Sequence, residues 1–90
     1  MVKKVEQFYW ENRPQVNQIV VETDSGEYLV SYGTVVAKKG EGGVQLSYFW
    51  RYSPTTAKHV ARFLGHSSSG EVKERIKSGE YELVGKLVIS

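Results

Sequence analysis

The residues best suited to binding chemistry recur at helical spacing in the middle of the chain. They stand at i, i+4, i+7 and i+11, with a lysine beside them: Thr55, His59, Arg62, His66 and Lys58. Cationic and hydroxyl groups on one helix face can contact the phosphates of a nucleic acid. The same stripe is typical of the solvated side of an amphipathic helix. Because useful phosphate affinity needs several simultaneous cationic contacts, the solvated-face interpretation is the favoured one.

Two residues just before this helix are further binding candidates. Phe49 alternates with its aromatic neighbours, so its ring is expected on the strand face turned away from the core. An exposed ring of this kind can stack on a base or anchor a protein partner. The alternative, of equal weight, is that the N-terminal segment or a second copy of the chain, as a homodimer, covers this face. Arg51 would extend a basic surface together with other cations, namely Lys38, Lys39, Lys73 and Lys77.

Neither a metal centre nor a catalytic centre is predicted. His59 and His66 are the only histidines, cysteine is absent, and the single aspartate, Asp24, lies in a turn signal. The spacing of the two histidines would separate them by about 10 Å along a helix, too far to share one ion. No serine stands in a Gly-x-Ser-x-Gly motif, and the glycine-rich stretch 39–43 lacks the Gly-Lys-Ser/Thr ending of a phosphate-binding loop. We therefore expect a non-enzymatic protein without a cofactor.

The segment 44–65 organises the predicted fold as a strand followed directly by a helix. Alternating side chains place one set on a single strand face: Val44, Leu46, Tyr48, Trp50 and Tyr52. Ser53 offers an N-cap oxygen, and Pro54 suits the first helical position. The apolar helix face follows at i, i+3, i+4 and i+7: Ala57, Val60, Ala61 and Leu64. Gly65 then ends the predicted helix 54–64.

The remaining segments complete the predicted architecture. A β-branched run indicates a strand over 18–23, and alternating side chains indicate a second over 27–32. The turn at 24–26 joins them, and a bulge at Gly33 and a further strand follow. Ser68 and Glu71 have the spacing of a capping box for a short helix 71–78, and a final strand 80–90 is broken or bent at Gly85. We predict an α+β fold with a single antiparallel sheet of about four to five strands, packed against one longer and one shorter helix.

The N-terminal segment 1–16 is ambiguous between helix and strand. Its aromatic residues are therefore open to two interpretations, as core or as interface: Phe8, Tyr9 and Trp10.

Composition indicates one small domain spanning residues 1–90. Net charge is +2, from 12 basic and 10 acidic residues, which is too mild to indicate a nucleic-acid partner by itself. The lack of cysteine fits a reducing cytoplasm. No apolar run approaches the roughly 20 residues of a membrane helix, and the N-terminus lacks a secretory signal. We expect a cytoplasmic protein with no membrane contact.

Four motifs run through the chain in order. They are Asn17-Gln18-Ile19-Val20, Ser31-Tyr32-x-Thr34-Val35-Val36-Ala37, Trp50-x-Tyr52-Ser53-x-Thr55-Thr56-x-x-His59-x-x-x-Phe63-Leu64 and Ile76-x-x-Gly79-x-Tyr81. Together these motifs span about two thirds of the chain. They resemble those of a family of small proteins encoded by tailed bacteriophages, which has no assigned biochemical function. That family commonly has an acidic residue before the Tyr-Ser pair, where this chain has Arg51. The resemblance implies a phage gene product acting in the bacterial host cytoplasm and supplies no catalytic residues.

The favoured hypothesis is a non-enzymatic protein that binds and modulates a host or phage macromolecule through a protein–protein surface. The alternative is a nucleic-acid-binding accessory protein that uses the basic face of helix 54–64, and its mark would be an affinity that falls steeply with salt. A small hydrolase or nuclease is a third and weaker hypothesis. The candidate binding residues are Lys58, His59, Arg62, His66, Phe49 and Arg51.

Overall fold

Six strands form one mixed sheet whose spatial order follows the chain. The computed structural model describes residues 1–90. Its elements are β1 (Val2–Trp10), β2 (Arg13–Thr23), β3 (Gly26–Ser31), β4 (Thr34–Gly40), β5 (Gly43–Ser47), a 3₁₀ helix (Tyr48–Arg51), α1 (Pro54–Phe63), α2 (Ser69–Lys77) and β6 (Tyr81–Val84). Strands β1 to β5 pair antiparallel, and β6 lies parallel to β5 at the edge of the sheet.

The α+β class is confirmed, but the sheet differs from the predicted antiparallel one of four to five strands. The ambiguous N-terminal segment contributes β1 and the start of β2. Strand β6 returns to the sheet after α1 and α2, and such a helical crossover places a strand parallel to its neighbour. It stops at Val84, so of the two expectations at Gly85, a break or a bend, the break is confirmed.

Helices α1 and α2 pack against one face of the sheet, where most of the core lies. The cluster on this face has 13 buried residues. Its fully buried members are Leu29, Val36, Ala37, Leu46, Val60 and Val72. Alternation along the strands brings Leu29 and Leu46 to the helix-facing side, and the two helices contribute Val60 and Val72. Packing against the sheet therefore determines which side of each helix faces solvent.

Helix α1 begins where its local signals predicted. The Thr56 amide donates to the Ser53 side chain at 3.1 Å, and Pro54 occupies the first turn. After the helix, Gly65 adopts φ +84°, and the next amide donates back to the Ala61 carbonyl at 2.8 Å. These bonds satisfy backbone groups that a helix leaves without partners at both ends. Neither helix has the combination of length and apolar sequence that spanning a bilayer requires.

The predicted strand 44–52 is interrupted by the 3₁₀ helix. Strand β5 ends at Ser47, whose side chain accepts a hydrogen bond from the Phe49 amide at 3.1 Å and caps the turn. The aromatic residues that were expected to share the core face of this strand therefore separate. Trp50 is 3% exposed, whereas Tyr48 and Tyr52 are 64% and 52% exposed.

Two turn predictions also need correction. Gly33 marks a two-residue hairpin turn between β3 and β4, because both Tyr32 (φ +49°) and Gly33 (φ +80°) have positive φ. The capping box expected from Ser68 and Glu71 does not form, since the Ser68 side chain makes no capping bond. The Glu71 carboxylate instead accepts from the Ser67 amide at 2.9 Å, and α2 begins two residues before its predicted start.

The three N-terminal aromatic residues have three different environments. Phe8 belongs to the helix-facing core and meets Phe63 edge-on, with ring centroids 6.4 Å apart. Tyr9 is 60% exposed. Trp10 is half-buried beside α1. Of the three rings, Phe8 therefore belongs to the core, whereas Tyr9 is exposed and Trp10 is intermediate.

The opposite face of the sheet carries a smaller apolar cluster. Its buried members are Val21, Tyr28 and Val30. Ile89 packs against them, and the Ser25 hydroxyl donates to the Ser90 carbonyl at 3.1 Å. Burial raises the pKa of Tyr28, but hydrogen bonds with Ser25 and Ser90 outweigh it and lower the pKa to about 8. The last residues of the chain, and not the N-terminal segment, cover part of this face.

Candidate binding site

The predicted binding residues fall into two groups in the structure. One group lies on α1 or just after it, and the other lies on the 3₁₀ helix: Lys58, His59, Arg62 and His66, then Phe49 and Arg51. The side chains of the first group are engaged by other parts of the chain. Those of the second group face solvent.

His59 is a buried residue and does not belong to the solvated face of α1. It is 6% exposed, because the first two strands pass over this side of the helix. Its Nε2 hydrogen-bonds the Gln15 side-chain oxygen at 2.9 Å, and Phe8 packs against the ring with centroids 6.0 Å apart. Burial, followed by the neighbouring charge of Lys58, lowers the pKa of His59. The imidazole therefore joins α1 to the β1–β2 hairpin in its neutral form.

His66 links the loop after α1 to the final strand. Helix α1 ends at Phe63, so His66 does not continue its polar face. Its Nε2 and the Tyr81 hydroxyl are 2.5 Å apart, and its Nδ1 lies 3.8 Å from the Glu71 carboxylate. Burial raises the pKa of Tyr81. The structure gathers no group of three or more histidine, aspartate or glutamate side chains that could hold a metal ion.

Lys58 and Arg62 both stack on Trp10. The Lys58 ammonium lies 4.4 Å from the centre of the Trp10 ring, and the Arg62 guanidinium lies 4.3 Å from it. Arg62 also donates to the His66 carbonyl at 3.1 Å. Cations over an indole face are stabilised by the ring quadrupole. These two charges thus connect α1 to β1.

A cleft of about 340 Å³ opens between the 3₁₀ helix, α2 and β6. Its lining residues, named here the basic cleft, are Tyr48, Trp50, Arg51, Lys73, Ile76, Lys77 and Leu83. The buried Trp50 fixes one wall, and Ile76 packs against the helix-facing core. Leu83 lies in β6 and is 38% exposed. Apolar side chains from three separate elements therefore form the inside of the cleft.

Three cations surround the basic cleft, and no acidic residue lines it. Arg51, Lys73 and Lys77 are exposed, and none of them takes part in an ion pair. By contrast, their neighbour Arg75 donates to Glu80 at 2.5 Å. The cleft therefore combines apolar walls with positive charge that the chain itself does not neutralise.

Exposed aromatic rings continue from the basic cleft onto the rest of the 3₁₀ helix. Tyr48 lines the basic cleft, and Phe49, 52% exposed, lines a neighbouring cleft of about 460 Å³ beside Lys86. The prediction that Phe49 points away from the core is confirmed. Burying a large exposed ring on contact with another molecule is favourable.

Sequence reasoning assigned Tyr48 to the core and gave no role to Ile76 and Leu83 at a site. Tyr48 is exposed because the strand ends at Ser47, and a serine before an aromatic run is the one local signal for that ending. Lys73 and Lys77 were named as an extension of a basic surface. The structure places them beside Arg51 and separate from the residues that stack on Trp10.

Comparison with known proteins places the chain in a family but supplies no activity. No curated protein and no solved structure matches it. A family model described as a family of unknown function (DUF8033) matches residues 2–79. That range includes every residue of the basic cleft except Leu83. The chain belongs to this family of unknown function.

Proposed function

We propose that this protein is a non-enzymatic binding module that engages another protein through the basic cleft. The observation that carries the proposal is the set of three unpaired cations around an apolar cleft. Tyrosine, tryptophan and arginine are the residues that most often dominate the energy of protein interfaces. Tyr48 and Arg51 bring two of these types together, both exposed, on one short segment beside the buried Trp50.

The shape of the cleft supports a protein ligand. Its volume, about 340 Å³, is at the lower end of the range for small-molecule sites. A pocket of this size accepts one or two side chains of a partner, while the exposed rings of Tyr48 and Phe49 provide contact area around it. The walls come from the 3₁₀ helix, α2 and β6, which the core holds in place. Little ordering of the protein is then required on binding, and that favours affinity.

The resemblance to proteins of tailed bacteriophages supplies the proposed setting. We place the protein in the cytoplasm of an infected bacterium, where it modulates a host or phage macromolecule. A small protein without catalytic machinery acts there by occupying a surface of its partner.

The alternative partner is a nucleic acid bound by the polar side of α1. It has less support, because His59 is buried and His66 is bonded to Tyr81. Lys58 and Arg62 are then the cations left on that side, and both stack on Trp10. Affinity for nucleic acid rises with the number of phosphates neutralised. Two cations that already contact Trp10 therefore contribute little to such binding.

A capture experiment with matched variants tests the proposal. Tagged wild-type protein, Tyr48→Ala and Tyr9→Ala are each used to recover partners from bacterial lysate with and without nuclease treatment. Tyr9 is a suitable control, because it is similarly exposed and lies on the opposite edge strand. We expect a discrete protein that wild type and Tyr9→Ala retain and Tyr48→Ala loses. Equal capture by all three, or loss of all captured material after nuclease treatment, would contradict the proposal.

A further inference from the structure

We infer that the basic cleft recognises a short acidic protein segment that carries one large apolar side chain among its carboxylates. This inference rests on the proposed function, since it names the chemistry of the partner at the same site. It has two parts, an apolar anchor inside the cleft and carboxylates at the rim.

The inside of the cleft is suited to an apolar anchor. Ile76 and Leu83 present branched aliphatic surface from α2 and β6, and Tyr48 adds an exposed ring from the 3₁₀ helix, whereas Trp50 is buried. Leu83 remains 38% exposed although it lies beside this apolar surface. A leucine or aromatic side chain that enters the cleft removes its own apolar surface and that of Leu83 from water, which is the main favourable term in such contacts.

The rim is suited to carboxylates. Lys73 and Lys77 stand four residues apart on α2, so they project from the same side of that helix about 6 Å apart along its axis. Alternate side chains of an extended segment are separated by roughly the same distance. Arg51 faces them from the 3₁₀ helix, where its guanidinium lies 5.8 Å from the Trp50 ring. A guanidinium can bind a carboxylate with two parallel hydrogen bonds.

The same features favour a protein segment over a nucleic acid. Base stacking requires accessible ring faces, but Trp50 is 3% exposed, and Tyr48 is the one exposed ring in the lining. Tracking a nucleic-acid backbone requires cations along its path. Here the three cations surround one cleft instead.

Selection from a library of random short peptides tests this chemistry without a known partner. The library is selected on wild-type protein, and the recovered peptides are measured against wild type and a charge-reversed variant, Arg51→Glu/Lys73→Glu/Lys77→Glu. The control is Lys3→Glu/Lys4→Glu/Arg13→Glu, which changes the same number of exposed charges in β1 and at the start of β2; of these, Lys3 and Lys4 form exposed ion pairs with Asp24 and Glu6. Thermal unfolding confirms that both variants fold, and oligothymidylate is titrated as a competitor.

We expect recovered peptides rich in Asp and Glu on both sides of a leucine or an aromatic residue. Their affinity should fall by about tenfold or more in the charge-reversed variant, a loss of about 1.4 kcal/mol or more, and should be nearly unchanged in the control. Recovery of no peptides, recovery of peptides without acidic enrichment, or equal binding to both variants would overturn the inference. Oligothymidylate that displaces the peptides and binds more tightly would also overturn it.

This experiment separates the inference from the proposed function. If Tyr48→Ala abolishes capture of a protein from lysate while the selected peptides lack acidic residues, the basic cleft is the site and the inferred chemistry is wrong. If Tyr48→Ala has no effect on capture, the site itself is wrong.

Discussion

The polar side of α1 and the basic cleft contain the same kinds of residues but differ in what surrounds them. In both regions, lysine and arginine side chains lie beside a tryptophan. On α1, Lys58 and Arg62 stack on Trp10 from another strand of the same chain. In the basic cleft, Lys73 and Lys77 lie over no aromatic ring, and Arg51 lies farther from its tryptophan, with the guanidinium 5.8 Å from the Trp50 ring. A charged stripe becomes a candidate site only where the fold leaves it unpartnered, and this depends on residues far away in sequence.

The largest expected effect separates the two aromatic residues of the cleft. Trp50→Ala should lower the free energy of unfolding by about 3–5 kcal/mol, because it empties a buried position in the core. Tyr48→Ala should change it by less than about 0.5 kcal/mol, because that ring is exposed. Urea unfolding of both variants measures this. Similar losses for the two would show that Tyr48 belongs to the core.

A smaller effect tests the stack on α1. Trp10→Ala removes two cation–ring contacts and a half-buried indole, so we expect a loss of about 1–2 kcal/mol. Arg51→Ala removes the single, longer cation–ring contact of the basic cleft from an exposed side chain and should cost less than about 0.5 kcal/mol. Thermal and urea unfolding give both values. If Trp10→Ala costs no more than Arg51→Ala, the α1 cations are as unpartnered as those of the cleft.

The burial of His59 predicts a pH dependence of stability. Burial lowers its pKa below the ordinary histidine value of 6.5, so in mild acid the unfolded chain binds a proton on this imidazole that the folded chain does not bind. Unfolding free energy should therefore fall as pH decreases from 6.5. His59→Leu should lose this part of the dependence, as measured by urea unfolding between about pH 5 and 6.5. An unchanged pH profile in His59→Leu would place the histidine in solvent.

The smallest expected effect concerns the charges of the basic cleft. Arg51, Lys73 and Lys77 form no ion pairs within the chain. Replacing each with glutamine should thus leave stability within about 0.5 kcal/mol of wild type. Thermal unfolding at low and high salt is the measurement. A marked loss at low salt alone would reveal an internal electrostatic partner and weaken the case for an external one.

The parts of the fold that local signals determine could be predicted from the sequence. Helix 54–64 was predicted, and α1 spans Pro54–Phe63, because Ser53, Pro54 and Gly65 act within a few residues of where they stand. The turn at 24–26 could likewise be predicted from its local residue types. A hydrogen bond over two or three residues can be inferred from residue types alone.

Features that depend on distant residues were missed. The alternating aromatic residues after Ser47 resemble a strand. Which of their rings are exposed depends on the 3₁₀ helix that follows β5 and on the packing of Trp50 in the core. Helical periodicity places His59 on a polar face. Its burial could not be predicted from that pattern, because the strands that cover it lie more than 40 residues away in sequence, as the hydrogen bond to Gln15 shows. Assembly of the basic cleft likewise required β6 to return to β5.

One measurement compares the two regions most directly. Two variants reverse equal numbers of charges, Arg51→Glu/Lys73→Glu at the basic cleft and Lys58→Glu/Arg62→Glu on α1. Calorimetric titration of each folded variant with the captured partner should show an affinity reduced about tenfold or more for the cleft variant. The α1 variant should bind like wild type. Loss of binding in the α1 variant with full binding in the cleft variant would contradict the assignment of the site.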